Sequence, residues 1–323
     1  MIVMKHVALI AAGCLLFVGA CSSGEKNAAA SDSSYQAISA LGDTLYAPPL
    51  TPEDERRFES ELEKARADYE NTPEDADALL RYGRYESSLG NYTKAVSLFS
   101  EGIENHPKDA RFYRYRGHRY ITLRKFDDAI DDLKRSSELI YGSEDQPEPP
   151  LAATAEGNEE TRRTLHTSIW YHLGLAYYLK GSYDQAQNAL EECLRLSTND
   201  DTFVAASYWL YMALRRGGKD DLAGDVLDPV AEEMDILENI QYHKLLLVFK
   251  GVFKPDMLLE ELQNSDALEY ATLGYGLGNW HYINGREERA RELFQKVYSG
   301  EHWPAFGYIA AEEDLSRLFS QSS

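Results

Sequence analysis

Six arginines, Arg81, Arg84, Arg111, Arg114, Arg116 and Arg119, crowd one short part of a chain whose net charge is −21. A guanidinium offers forked donors that match a carboxylate and a flat face that stacks on aromatic rings. Two readings of the cluster stand. In one, the arginines receive an acidic or C-terminal carboxylate element of a partner. In the other, they pair with local acids such as Asp127, Asp128, Asp131 and Asp132. Other reactive residue types point to no reaction. His166 and His172 are six apart and share no HExxH pattern. Cys193 has no histidine near it in sequence and reads as a buried structural thiol. The paired aspartates at 127–128 and 131–132 read as a solvated helix face rather than a cation site. A phosphate-binding glycine loop and a G-x-S-x-G elbow are both missing from the sequence. The expectation is a protein without catalytic residues, metal ligands or cofactor. Its acidity argues against general nucleic-acid binding, because phosphate backbones are repelled.

The elements that would position these residues follow from periodicity. In the stretch 167–198, Trp170, Leu173 and Tyr177 recur at helical spacing and share one face. Gly174 has no side chain, so a second helix can approach there. Lys180-Gly181-Ser182 is a turn with glycine suited to positive φ. Ala186 and Leu190 face back from the second helix. This W-x2-L-G-x2-Y…A-x3-F order resembles the tetratricopeptide repeat (TPR), a 34-residue helical hairpin. The same order recurs at Tyr82-Gly83, Gly90, Tyr92, Ala95 and Phe99, and again 34 residues on at Gly117, Ala129 and Leu133. It weakens around Tyr208–Leu227 and 238–262. It returns at Leu277-Gly278, Gly285, Ala290 and Phe294.

The expected fold is therefore all-α: a TPR helix-turn-helix solenoid forming a right-handed superhelix, with about five repeats plus capping helices. Thr51-Pro52-Glu53-Asp54 starts the N-terminal cap helix. Trp303-Pro304 starts a closing helix to about Phe319, whose Glu312-Glu313-Asp314 suits an exposed outer face. The expected divisions are a signal peptide at 1–20 and a lipidated cysteine with a flexible tether at 21–50. The cap helix and repeats one and two follow at 51–142. An acidic, proline-rich insertion occupies 143–163, and repeats three to six, two of them degenerate, with the closing helix fill 164–319. The insertion reads as a solvated loop or as a docking segment at the groove edge.

The TPR resemblance implies a concave groove lined by first helices, at the second, fifth, ninth and twelfth positions of each repeat. Those positions are Asp77, Leu80, Arg84 and Ser87, then Arg111, Arg114, His118 and Ile121, then Ser168, Tyr171, Leu175 and Tyr178. The candidate partner-binding residues are accordingly Arg84, Arg111, Arg114, His118, Tyr171 and Tyr178. They describe a groove with a basic N-terminal half and a tyrosine-lined middle.

The leader has a short basic start at Lys5 and His6, an apolar run from Val7 to Val18, and small residues before Cys21. Val18-Gly19-Ala20-Cys21 looks like a bacterial lipobox, which implies lipid on Cys21, and Ser22 after it resembles outer-membrane sorting. Several acyl chains anchor stably where one is marginal. The C-terminal part, with Ala206-Ser207-Tyr208-Trp209-Leu210-Tyr211, Val248-Phe249-Lys250-Gly251 and Leu277-Gly278 with Tyr282 and Gly285, resembles the NlpI-type TPR lipoproteins in order and spacing. That family implies a lipid-anchored, homodimeric adaptor on the periplasmic face of the outer membrane. Its partners are periplasmic or envelope proteins, cell-wall hydrolases and their protease among them. A pilotin-like assembly lipoprotein and a glycan-capture lipoprotein are the alternatives.

Overall fold

One steric device repeats along the chain. A Cβ built on Gly83, Gly117, Gly174 or Gly278 would lie 2.5, 2.8, 2.5 or 2.6 Å from Phe99, Leu133, Leu190 or Phe294 respectively. Each partner stands sixteen residues after its glycine, so the missing side chain sets how closely the two helices of a hairpin approach. The computed structural model describes residues 35–149 and 162–319, and there the helices are α1 (Pro52–Asn71), α2 (Ala76–Ser88), α3 (Tyr92–Asn105), α4 (Ala110–Thr122) and α5 (Phe126–Leu139). They continue as α6 (Leu165–Leu179), α7 (Tyr183–Leu196), α8 (Asp200–Arg216), α9 (Asp220–Leu227) and α10 (Ile240–Phe249). The last are α11 (Pro255–Glu261), α12 (Ala267–Ile283), α13 (Glu287–Tyr298) and α14 (Phe306–Asp314), which runs into a π-helical turn, Leu315–Phe319. Thr51 caps α1 by accepting the Asp54 N–H at 3.1 Å.

From α2 to α13 the helices follow as six helix-turn-helix hairpins stacked in order; five are closely packed pairs, and in the remaining one α10 and α11 are joined by the Lys244–Glu261 ion pair. Every hairpin turns on a residue in the left-handed region. Five are glycines, at 90, 181, 218, 251 and 285, and the sixth is Arg124 at φ 61°. The weak sequence signal between 200 and 262 corresponds to two hairpins with short second helices, α9 and α11. The loop between them is fastened to the buried Asp201 carboxylate, which accepts from the N–H groups of Leu237, Glu238 and Asn239. Gly174→Leu should cost about 1–3 kcal/mol, because Leu190 is fully buried and can yield only by leaving its rotamer; chemical denaturation measures it.

Three expectations change. Residues 35–50, read as the end of a tether, instead form a small hairpin of β1 (Ala37–Ile38) and β2 (Thr44–Leu45). It is held by long-range bonds: the Ala40 N–H donates to Glu312 at 2.7 Å and the Trp303 indole donates to the Tyr46 carbonyl at 2.6 Å. The closing helix begins at Phe306, not at Trp303-Pro304. It is also not an outer cap. It packs on α6, α12 and α13, and both Glu312 and Asp314 are buried. Glu312 pairs with Arg124 and Asp314 with Arg216 at 2.5 Å. The tail of the chain thus covers part of the surface where an open groove was expected. The signal segment, Cys21, the tether up to residue 34, and residues 150–161 of the insertion lie outside the described residues. Among the described residues no helix is long and apolar enough to cross a membrane.

Candidate partner-binding groove

Helical spacing puts Arg111, Arg114 and His118 on one face of α4, between Arg84 of α2 and Tyr171 of α6. Two adjoining pockets open along this face. The first, about 190 Å³, is walled by Arg84, Arg114, Tyr115, Arg119 and Glu148. The second, about 310 Å³, is walled by Tyr171, His172, Tyr242, Leu268 and Phe306. His118 and Arg163 belong to both.

The first pocket is an arginine cluster around one carboxylate of the chain itself. Arg114, nearly inaccessible, donates to Glu148 at 2.8 Å, and the Ser168 hydroxyl donates to the same oxygen at 2.9 Å. Arg84 donates to the Pro149 carbonyl at 2.7 Å and its guanidinium lies 5.4 Å from the Tyr115 ring centre. The start of the insertion is fixed by backbone bonds, Glu148 N–H to the Arg163 carbonyl and Leu165 N–H to the Gln146 carbonyl. Residues 143–147 are exposed, as a solvated loop would be, while Glu148 is buried and, with the Pro149 carbonyl, reaches into the groove. Arg119 differs from its neighbours. Its guanidinium lies 5.3 Å from the Tyr92 ring centre and makes no hydrogen bond or ion pair among the described residues. Burial pulls its pKa down to about 10.

The reading of local pairing holds for three members of the arginine cluster. Arg116 forks onto Asp132 with two 2.7 Å bonds, and Arg81 reaches Asp68 at 3.3 Å. Arg111 is held at 2.6 Å by both Asp109 and Asp77, so it is engaged locally at the lip of the face. Arg84, Arg114 and Arg119 face the pocket.

The second pocket is built from rings. The Tyr171 hydroxyl accepts from the Trp209 indole at 2.9 Å and stands 3.4 Å from the Tyr242 hydroxyl. His118 and His172 lie 4.3 Å apart, with Phe306 against both at 5.4 and 5.7 Å. Burial, with the nearby arginines, drives both imidazole pKa values well below the ordinary value, so both rings are neutral at pH 7. Cys193 sits at the pocket floor with its pKa pushed up to about 12 by burial, which makes it an unreactive thiol. Tyr178 does not line the groove. It is 2% exposed, bonds to the Tyr275 hydroxyl at 2.6 Å and meets Trp209 edge-on, so it belongs to the core beneath α14. Leu80, Ile121 and Leu175, also expected on the groove, are buried too.

The neutral histidines give a signed pH dependence. The unfolded chain protonates them from about pH 6.5 downward while the folded chain does not, so stability falls as pH falls through that window. His118→Phe keeps the ring contacts, and it should flatten the stability curve below pH 6 by about 1.4 kcal/mol per pH unit. Urea titrations at a series of pH values would test this; parallel curves for the two proteins would refute it.

Sequence reasoning did not place Glu148, Arg163, Tyr242 or Phe306 here. Glu148 carried a weak signal, a lone acid between prolines in an otherwise aperiodic stretch. The others reach the site only through the stacking of distant hairpins. Among the described residues no three His, Cys, Asp or Glu side chains are grouped to hold a metal ion.

Three stretches match tetratricopeptide repeat families: residues 168–200 match one, and the overlapping 59–110 and 83–137 match another. With the stacked hairpins above, the fold is a TPR solenoid. Solved structures of TPR proteins resemble it. One from Parabacteroides merdae is 17% identical with a TM-score of 0.48, covering 81% of this chain and 94% of that one. YrrB, a TPR protein described as having an unusual peptide-binding site, is 16% identical with a TM-score of 0.43, covering 73% and 92%. MamA is 17% identical with a TM-score of 0.42, covering 64% and 99%. No curated protein matches the chain.

Proposed function

We propose that this TPR solenoid is a non-catalytic adaptor, anchored by lipid on Cys21 at the periplasmic face of the outer membrane, that holds envelope proteins in its groove. The observation that carries the reading is the pair of pockets open between Arg84 and Phe306, on a face of which the chain's own tail covers only part, where α14 packs on α6. A scaffold with no binding task would gain stability by filling them. The adaptor would act through effective concentration, since partners held on one tether meet more often than free ones. The lipobox-like leader and the NlpI-type resemblance support the location and suggest wall hydrolases or their protease as partners. For the glycan alternative, Tyr178, Tyr208 and Tyr275 are packed inside and cannot serve as stacking platforms. The pilotin alternative needs a long apolar trough, and α14 lies where that trough would run.

A mild-detergent pull-down of the lipidated protein from its own envelope tests this. Arg84→Glu combined with Ser87→Trp, both at the rim of the arginine pocket, should abolish partner capture without altering the fold. Cys21→Ser should release the protein from the membrane fraction. Undiminished capture by the rim variant would defeat the groove, and membrane retention of Cys21→Ser would defeat the anchor.

A further inference from the structure

We infer that the N-terminal hairpin, β1 with β2, is a second membrane contact that lies on the phospholipid surface beside the anchor. The inference rests on the lipid-anchored reading of Cys21 and says which part of the body that anchor brings to the bilayer. The first observation is where exposed apolar side chains gather. Ten large ones are exposed among the described residues, and four of them, Tyr35, Ile38, Leu41 and Tyr46, fall on this one small element. The other six are scattered from Tyr141 to Leu268. Single exposed apolar residues are ordinary, whereas a group of them marks a contact surface. The hairpin has two faces. Ala37 pairs with Leu45 and Ile38 with Thr44, and successive side chains along a strand point to opposite sides. Ala37, Ser39 and Leu45 are buried against the body, so Ile38 and Thr44 face out, with Tyr46 diagonal to Ile38. Leu41 stands at the tip beside Gly42, whose φ is 95°. The body fixes this arrangement: the Ser39 and Tyr298 hydroxyls meet at 2.9 Å, and the Gln36 side-chain oxygen accepts the Thr93 N–H at 3.0 Å. With the bonds to Glu312 and Trp303, these contacts keep the outer side chains from turning inward.

The second observation is charge. In a chain of net charge −21, residues 35–50 hold a single carboxylate, Asp43, and no Lys, Arg or His. The Tyr298 hydroxyl donates to that carboxylate. Taking charged groups out of water is expensive, so a stretch with one acid approaches lipid at far lower cost than the acidic helices do. Tyrosine rings suit the boundary between headgroups and acyl chains, where one end is apolar and the other wet. The third observation is reach. Fourteen peptide links join Cys21 to Tyr35, so an anchored chain holds the hairpin within about 50 Å of the lipid. That tether raises the effective concentration of the hairpin at the surface, and a contact too weak to retain free protein becomes populated. The occupant that this position selects is therefore the bilayer. The lipid would set the distance of the body from the membrane, and the hairpin its orientation. Cys21→Ser removes the tether, so it should still release the protein.

The test places a nitroxide, through a ketone-bearing amino acid, at position 41 or, as control, at position 222, an exposed leucine on α9. The full-length protein from its own envelope is reconstituted in phosphatidylcholine vesicles. Electron paramagnetic resonance then compares collisions with oxygen, which enters lipid, and with a nickel chelate, which stays in water. The label at 41 should gain oxygen and lose nickel contact, and the label at 222 should do neither. Ile38→Asp combined with Tyr46→Asp leaves the buried side of the hairpin untouched, so it should keep the native urea midpoint. It should lower the inserted fraction at least about tenfold, the effect of one apolar side chain withdrawn from lipid. A label at 41 that reads as water, or insertion undiminished in the double variant, would overturn the inference. So would a label at 41 shielded from both reagents, which would mean that protein covers the hairpin, a second copy or the chain's own leader. Mass spectrometry of the same sample separates this from the anchor reading. Where Cys21 carries no lipid, the anchor reading falls, and the hairpin is tested with the Cys21 thiol coupled to a maleimide phospholipid, at the same distance from the surface. Where Cys21 is lipidated and position 41 stays in water, the anchor stands and the hairpin contact falls.

Discussion

Glu312→Ala should lower the unfolding free energy by about 3–5 kcal/mol, as expected when one partner of a buried ion pair is removed. The Glu312 side chain is wholly inaccessible. One oxygen accepts from Arg124 at 2.6 Å, and the other accepts both from Arg124 at 3.1 Å and from the Ala40 N–H at 2.7 Å. Its loss would leave the Arg124 guanidinium buried with the Thr122 and Trp303 carbonyls and the Trp303 and Tyr308 rings, and no carboxylate partner among the described residues. It would also remove one of the bonds that hold the N-terminal hairpin, leaving those to Tyr298 and Trp303, so residues 35–50 should be cut faster in limited proteolysis. Arg124→Gly makes a useful comparison. Arg124 is the one hairpin-turn residue of the six that is not glycine, and it holds φ 61°. Left-handed backbone costs an L-residue about 1–2 kcal/mol. Arg124→Gly should therefore be less damaging than Glu312→Ala by about 1 kcal/mol, because relief of the turn offsets part of the lost pair. The double variant should cost clearly less than the sum of the two. Urea unfolding reads all three, and additive losses would show that the pair does not couple the second repeat to the tail.

The same pair marks where the sequence stops being legible. The repeat register could be read because it is local: Gly83, Gly117, Gly174 and Gly278 each meet a residue sixteen positions on, within one hairpin. Arg124 occupies the turn position 34 residues after Gly90, so sequence alone offers an arginine where a glycine is expected and no reason for it. The reason lies 188 residues away on α14. Glu312-Glu313-Asp314 looks like a solvated cap for the same reason, since Arg124 and Arg216 are distant in sequence and nothing local announces that they neutralise it. The hairpin at 35–50 has two-residue strands among Ser, Gly, Asp and Pro, a composition shared with tethers, and its order comes from Glu312, Trp303 and Tyr298. Within the site, Arg84, Arg114, His118 and Tyr171 were legible from repeat position. Tyr178 was misplaced because repeat position says which way a side chain points and not what later folds over it.

Gly307→Val should cost at least about 3 kcal/mol, beyond the usual range for overpacking, and should erase the ring-lined cavity as well. A Cβ on Gly307 would stand 2.2 Å from the Ala271 carbonyl oxygen and 2.7 Å from its carbon. Elsewhere in this fold a glycine faces a side chain that can yield, as Gly174 faces Leu190. Here it faces the backbone of α12, so the only accommodation is for α14 to lift away. Lifting it unseats Phe306 from His118 and His172, and separates Asp314 from Arg216 and from the Tyr275 hydroxyl at 3.1 Å. Loss of stability and loss of the Phe306 contacts, read from the imidazole proton shifts of His118 and His172, should therefore arrive together. Gly224→Ala is the matched control. Nothing lies within 4 Å of its Cβ position, it is exposed on α9, and its φ is ordinary. It should be stabilising by roughly 0.5–1 kcal/mol, through helix propensity and a less flexible unfolded chain. A Gly307→Val protein with unchanged stability would mean that α14 does not rest on α12, and the cavity wall it supplies would go with it. A destabilised variant with unchanged His118 and His172 shifts would place the aromatic cavity outside the reach of Phe306.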